Sequence, residues 1–208
     1  MIELTALQAD ALKELFNIGV GRAARSLSLM VRDEVKLSTP EVTLARPDEV
    51  ATALLGSEFR QLSMVMMDFS GPFNALAILL FPERNALSIV SHMLEAQISP
   101  EELAEFEQEA MCEVGNIILN ACISALADEL KVEFHGELPV HYFSDTDALP
   151  FLVDPCNQTS DQMVLLLQIH LTMRQEQIQG HLIFLLSVSS LNALLEHVDA
   201  YLVHFGIS

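Results

Sequence analysis

The chain has 208 residues, of which 51% are hydrophobic and 19% charged, and its formal net charge is −19. This composition predicts a folded protein rather than a disordered one, and ten basic against 29 acidic residues disfavour nucleic acids and anionic lipid surfaces as partners. The longest apolar runs are far shorter than the roughly 20 residues of a membrane helix, and no basic region precedes an apolar stretch at the start, so we expect neither a membrane span nor a signal peptide.

The first half of the chain predicts a helix, an extended segment, two strands and a closing helix. Thr5 and Gln8 have the spacing of a capping box, which marks the start of the first helix. The segment that follows this helix ends at Pro40 and should be extended, because a residue before proline disfavours the helical conformation. The two strands and the closing helix are predicted at 62–69, 74–81 and 82–94.

The second half predicts the same elements in the same order. Ser99 supplies an N-cap and Pro100 the first helical position, and an acidic first turn follows. The next extended segment ends at Pro139. The remaining two strands and closing helix are predicted at about 162–173, 178–187 and 190–203, with a turn near 174–177.

The two halves also share a motif, which recurs after 99 positions without a gap. Each copy reads acid-x3-Glu-x2-Asn-x22-Pro, and because even the distant prolines fall in register, chance is a poor explanation. The motif positions are Asp10, Glu14, Asn17 and Pro40 in the first copy and Glu109, Glu113, Asn116 and Pro139 in the second. We therefore expect one domain, 1–208, built from two repeats at about 1–95 and 100–208. Its predicted fold class is α+β: two layers, with helices covering a mainly antiparallel sheet and a pseudo-two-fold axis between the repeats.

The motif places its acid, glutamate and asparagine within roughly 60° of one another on the helix surface, opposite an apolar stripe. In a single copy, a solvated helix face would be the simpler interpretation. Asparagine is a mediocre helix former, however, so its recurrence three residues after the glutamate in both copies favours a function.

An asparagine amide is neither a general base nor a nucleophile, but it can fix the orientation of a water molecule. Positioning alone is most valuable in phosphoryl transfer, where the transition state is loose and needs little proton transfer. The glutamate on the same face suits a cationic group of a partner. The sequence has no phosphate-binding loop and no two-metal carboxylate cluster, so the metal and the cation would have to come with the substrate.

The cysteines and histidines indicate no further chemistry. Cys112, Cys122 and Cys156 form no CxxC pair, and their number is odd. None of the seven histidines has the spacing of a metal-ligand motif. We therefore expect reduced thiols, a cytoplasmic protein and no metal site.

The segments that begin at Asn17 (NIGVGRAARSLS) and at Glu113 (EVGNIILN) closely resemble the two signature helices of the CheC family. These proteins are phosphatases of bacterial chemotaxis, related to CheX and to the middle domains of FliY and FliM. The resemblance implies that the substrate is the phospho-aspartate of a CheY-type response regulator, which brings its own Mg²⁺ and a lysine. The protein would then need no cofactor of its own.

The resemblance also implies a role for each motif residue. Asn17 and Asn116 would orient the attacking water, and Glu14 and Glu113 would pair with the lysine of the regulator. The leading acids, Asp10 and Glu109, would contact the partner, and Pro40 and Pro139 would shape the backbone beside the site.

Two positions depart from the family pattern. Glu109 stands where the family usually has Asp or Ser, and Arg22 stands where Asn is common, one turn beyond Asn17. The first departure puts the role of the leading acid of the second site in question, and the second affects the docking surface of the first site. The sequence therefore leaves the two sites unranked.

Three alternatives remain open. The first is a non-catalytic scaffold like the FliM middle domain, although FliM-type chains lack the Glu/Asn pair that this chain carries twice. The second is a CheX-type phosphatase, which has one site per chain and dimerises through its sheet. The third is a regulatory role, because some relatives bind the receptor deamidase CheD.

Overall fold

The structure is a computed structural model. It describes residues 3–39, 41–47, 49–50, 61–94, 100–145, 162–173 and 175–206, with only the backbone described for 100–105. Three residues that the sequence analysis singled out, Pro40, Ser99 and Cys156, lie outside the described residues.

Helices and strands follow the order that the sequence predicts. In the first half they are α1 (Ala6–Val31), β1 (Val35–Ser38), β2 (Val42–Ala45), β3 (Gln61–Ser70), β4 (Ala75–Pro82) and α2 (Glu83–Leu94). In the second half they are α3 (Pro100–Leu130), β5 (His135–Gly136), β6 (Val140–Asp145), β7 (Gln162–Met173), β8 (Glu176–Ser187) and α4 (Val188–His204).

The capping box predicted for α1 is present. The hydroxyl of Thr5 accepts a hydrogen bond from the backbone N–H of Gln8 at 3.2 Å, and the side-chain oxygen of Gln8 accepts one from the backbone N–H of Thr5 at 3.0 Å. These two bonds satisfy donors that the first helical turn leaves free. At its other end α1 stops at Arg32, whose left-handed conformation (φ 51°) turns the chain out of the helix.

The extended segment of each half differs from the prediction, because it forms two short strands instead of one. In the second half β5 and β6 lie on either side of Pro139. Proline has no N–H to donate to a sheet ladder, so the pairing breaks there. In the first half β1 ends at Ser38 and β2 begins at Val42.

The strands described here form one antiparallel sheet of eight, in the order β1-β7-β8-β4-β3-β5, with β2 also paired to β7 and β6 also paired to β3. The edge strands of each half pair with a long strand of the other half. Val35 of β1 lies opposite Met173 of β7, and His141 of β6 lies opposite Val65 of β3. In each half, a strand next to the motif proline in sequence therefore runs along the opposite half.

Most of the core lies between one face of this sheet and the helices. The apolar stripes predicted for the two motif helices are buried there: Leu12, Leu15, Phe16, Gly19 and Ala23 of α1, and Met111, Val114, Gly115, Ile118 and Cys122 of α3. Burying a large apolar side chain contributes roughly 1.5–3 kcal/mol, so these stripes fix both helices on the sheet with their opposite faces outward.

A smaller apolar cluster occupies the other face of the sheet. It contains Val50 together with Met64, Leu80 and Ile183. Because neighbouring side chains of a strand point to opposite faces, Met64 joins this cluster while Val65 joins the main core. The central strands are therefore apolar on both sides.

In the part of the chain that the structure describes, Phe106–Leu130 of α3 is long and apolar enough, by length and composition alone, to cross a membrane. Half of its most apolar window is buried inside the protein.

Candidate functional site

The two motif helices present their polar residues on the face opposite the core. On α1, Asp10 and Glu14 are exposed and Asn17 is half-buried; α3 repeats this pattern with Glu109, Glu113 and Asn116. Each asparagine is thus partly covered on its helix, whereas each glutamate is exposed and can meet a partner.

The amide of Asn17 is fully hydrogen-bonded within the chain. Its oxygen accepts from the backbone N–H and from the hydroxyl of Thr39, both at 3.1 Å. Its nitrogen donates to the carbonyl of Thr39 at 3.2 Å and to that of Lys13 at 2.9 Å. An amide has two donor hydrogens and two acceptor lone pairs, and here all four are used. Asn17 therefore fastens the fully buried Thr39 to α1.

The amide of Asn116 has a different environment. Its oxygen accepts a single hydrogen bond, from the side-chain nitrogen of Asn120 at 2.7 Å. Leu138, which corresponds to Thr39 in the second copy, is 86% exposed and offers no hydroxyl. Within the described residues the nitrogen of Asn116 has no hydrogen-bond partner, so this amide can still bind a ligand or water.

The motif proline of the second copy has a structural contact. The carbonyl of Pro139 accepts from the thiol of Cys112 on α3 at 3.8 Å. This weak bond ties the loop between β5 and β6 to the motif helix. Pro40, its counterpart, lies outside the described residues.

The surface beside Glu14 is formed by three helices. The pKa of Tyr201 on α4 is raised, chiefly by burial and then by two nearby carboxylates, those of Glu129 on α3 and Glu14 on α1.

The two motif helices are also joined by an ion pair. Arg22 of α1 bonds to Asp128 of α3 at 2.5 Å. The arginine that departs from the family pattern is therefore engaged with α3.

A buried polar cluster lies beside the second motif. His141 follows Pro139 on β6, and its Nε2 is 2.7 Å from the hydroxyl of Ser63 on β3 and 3.9 Å from Oε1 of Glu107 on α3. Burial raises the pKa of Glu107 and lowers that of His141, since the charged form of each is poorly solvated there. Both shifts favour the neutral forms.

Among the described residues, no group of three or more His, Cys, Asp or Glu side chains is arranged to hold a metal ion. Cys112 and Cys122 are free thiols, and complete burial raises the pKa of Cys122 to about 12.

Sequence reasoning missed two residues that contact the motif asparagines. Asn120 was detectable, because it lies four residues after Asn116 on a helix, where side chains face each other. Thr39 was not, since it lies 22 residues from Asn17 and is brought there by the fold of the whole loop.

Two known families match different stretches of the chain. The CheC-like family matches residues 7–44, which contain the first motif, and the family of the chemotaxis phosphatase CheX matches residues 63–146, which contain the second glutamate, asparagine and proline. The chain is therefore similar to the CheC-type phosphatases. The resemblance and the α+β fold predicted from the sequence are confirmed to that extent.

Similar CheC-type proteins include the CheY-P phosphatase CheC of Bacillus subtilis, which is 23% identical over 135 residues. That match spans 64% of this chain and 64% of the length of the relative.

Solved structures agree with the CheC-type fold. FliY of Thermotoga maritima superposes with a TM-score of 0.74 at 17% identity, covering 97% of this chain and 100% of that one. The FliM middle domain of Vibrio alginolyticus superposes with a TM-score of 0.60 at 16% identity, covering 88% of this chain and 99% of that one. At these identities the likeness shows the fold alone.

Proposed function

We propose that the protein hydrolyses the aspartyl phosphate of a CheY-type response regulator. The observation that carries this proposal is the recurrence of a glutamate and an asparagine, three residues apart, on the outward faces of α1 and α3 in a CheC-type fold. The B. subtilis relative, which is a CheY-P phosphatase, supports the same reaction.

In the proposed reaction the asparagine amide positions a water molecule. The water oxygen attacks phosphorus as the bond from phosphorus to the aspartate oxygen breaks, the aspartate leaves as a carboxylate, and a water proton passes to the phosphate or to solvent. An amide exchanges no proton in this step. Its contribution is orientation, which suits a loose transition state with little proton transfer.

The glutamates would hold the partner. Glu14 and Glu113 are exposed, so their carboxylates can pair with a lysine of the regulator beside its phosphoryl group. Asp10 and Glu109, one turn earlier on the same faces, would extend this acidic contact. With a net charge of −19, the protein attracts a cationic docking surface over a longer range.

The metal of the reaction belongs, in this proposal, to the substrate. Mg²⁺ would arrive bound to the phosphorylated regulator and would neutralise the charge that develops on the phosphoryl group. Two free thiols, Cys112 and Cys122, suit a reducing cytoplasm, where such regulators would be met.

The experiment that tests this proposal separates an enzyme from a scaffold. A panel of purified response regulators is phosphorylated, and the decay of each phospho-regulator is followed with and without a catalytic amount of the protein. We expect accelerated decay with turnover for at least one CheY-type regulator. Binding without acceleration across the panel would instead favour a non-catalytic scaffold.

A further inference from the structure

The amides of Asn116 and Asn120 form a pair on α3. The side-chain nitrogen of Asn120 lies 2.7 Å from the amide oxygen of Asn116, four residues earlier on the helix. In this arrangement Asn120 donates and Asn116 accepts, so the oxygen is the engaged end of the Asn116 amide. The nitrogen of Asn116 has no hydrogen-bond partner among the described residues and is the end left available.

The amide of Asn120 lies beside Gly136 of β5. Its side-chain oxygen is 3.3 Å from the point where a Cβ on Gly136 of β5 would lie. A side chain at Gly136 would also lie 2.8 Å from the ring of Phe69. A side chain at Gly136 would therefore crowd Phe69 first and the amide oxygen of Asn120 next.

The first copy has neither feature. Gly21 occupies the position that corresponds to Asn120, and the space around it is open. Its asparagine, Asn17, is instead closed by four hydrogen bonds, three of them to Thr39. An amide with every donor and acceptor in use must break a bond before it can hold a water.

We propose that Asn120 is a positioning residue that turns the nitrogen of Asn116 toward the reacting phosphoryl group, and that the second copy consequently supplies most of the turnover. This inference rests on the proposed phosphatase function. In the proposed arrangement, Asn120 contacts neither the water nor the phosphate and acts only through Asn116. Asn17 keeps mainly a structural task, the anchoring of Thr39.

The test uses the full-length protein carrying Asn17→Ala, so that only the second copy is measured. The kcat and KM for decay of the phospho-regulator are determined separately for Asn120→Ala and Asn120→Asp. Asn120→Ala removes the donor, and kcat should fall roughly tenfold while KM stays unchanged. Asn120→Asp keeps the shape of the side chain but offers only hydrogen-bond acceptors. The Asn116 amide should then rotate to present its nitrogen to residue 120, and kcat should fall at least as far as in Asn120→Ala. Ser124→Ala, an exposed change one turn further along α3, is the matched control and should behave as its parent.

The outcomes separate this inference from the proposed function. If Asn116→Ala keeps full activity in the same background, the water-positioning mechanism itself is wrong. If Asn116→Ala abolishes activity while both Asn120 variants match their parent, only the role of Asn120 is wrong. If Asn120→Asp is active and Asn120→Ala is not, the oxygen of Asn116 faces the substrate and the proposed orientation is overturned. A lowered thermal midpoint with unchanged kcat would make Asn120 a purely structural residue.

Discussion

Gly19 and Cys122 touch where the two motif helices cross. A Cβ added to Gly19 of α1 would lie 2.6 Å from the Cα of Cys122 on α3 and 3.0 Å from the carbonyl oxygen of Ala121. Both neighbours are backbone atoms, which cannot move aside as a flexible side chain can. The glycine in the first motif segment is therefore required by the close approach of α1 to α3.

Replacing Gly19 with alanine should push the two helices apart. Overpacking of this kind costs about 1–3 kcal/mol, or roughly 2–4 °C per kcal/mol for a protein of this size. The matched control is Gly21→Ala on the same helix, where a Cβ meets nothing within 4 Å. That change should raise stability by about 0.5–1 kcal/mol, because alanine is the better helix former. Thermal unfolding of the two variants measures the contrast, and equal midpoints would contradict the close approach.

The buried cluster beside the second motif should make stability depend on pH through Glu107. Burial holds the pKa of this carboxyl above its ordinary value of 4.5. Its contribution to stability is therefore fully present below pH 4.5 and is lost as pH rises through the folded-state pKa. The variant Glu107→Gln has no such loss of stability. Its thermal unfolding midpoint, relative to that of the wild type, should therefore rise as pH increases above about 4.5.

Two features of the measurement isolate Glu107. His141, whose pKa is lowered by burial, contributes stability above pH 6.5 that is lost as pH falls through its folded-state pKa, and this change occurs in both proteins. Glu109→Gln, at an exposed position of the same helix, is the matched control. If the Glu107→Gln and Glu109→Gln curves run parallel between pH 4 and 8, Glu107 is not buried as the structure has it.

The paired glutamates should act through charge. Glu14→Gln with Glu113→Gln keeps size and hydrogen bonding but removes the ionic attraction to a lysine. A pair at a partly desolvated interface is worth about 1–3 kcal/mol, so we expect roughly a fivefold or larger fall in the second-order rate with phospho-regulator. The dependence of that rate on salt should also become flatter. Glu196→Gln, an exposed change on α4, should leave rate and salt dependence unaltered, and a double variant indistinguishable from this control would refute the role of the glutamates.

No resident metal is needed for the proposed reaction. Elemental analysis of the purified protein should find no stoichiometric metal, and protein treated with EDTA and then desalted should regain full activity on a regulator supplied with Mg²⁺. Stoichiometric zinc or manganese that is lost together with activity would mean that the metal belongs to this chain.

Local sequence signals predicted most of the fold. The strand predicted at 162–173 coincides with β7, and that predicted at 62–69 ends one residue short of β3 on each side, because the apolar runs and their turn residues are local features. The second short strand of each half was missed, since a proline's effect on a ladder depends on where the partner strand lies. For the same reason the sequence could not show that β1 and β2 pair with β7 of the other half. The division into repeats at 1–95 and 100–208 stays a prediction.

The candidate site was predictable to a different degree in each copy. Periodicity placed Glu14 and Glu113 on exposed faces, where the structure has them. Periodicity also made the two asparagines equivalent, whereas the structure shows one amide closed by Thr39 and the other open. That difference depends on contacts outside the helix, which no repeat of eight residues can encode.

The measurement that tests the phosphatase account most directly is the decay of a phosphorylated CheY-type regulator with the Asn17→Ala/Asn116→Ala double variant. If water positioning supplies two to three powers of ten in rate, its loss raises the barrier by roughly 3–4 kcal/mol. Decay should then fall to the regulator's own rate, while circular dichroism shows the fold retained and binding to the regulator persists through the glutamates. A folded double variant that accelerates decay as the wild type does would contradict the account.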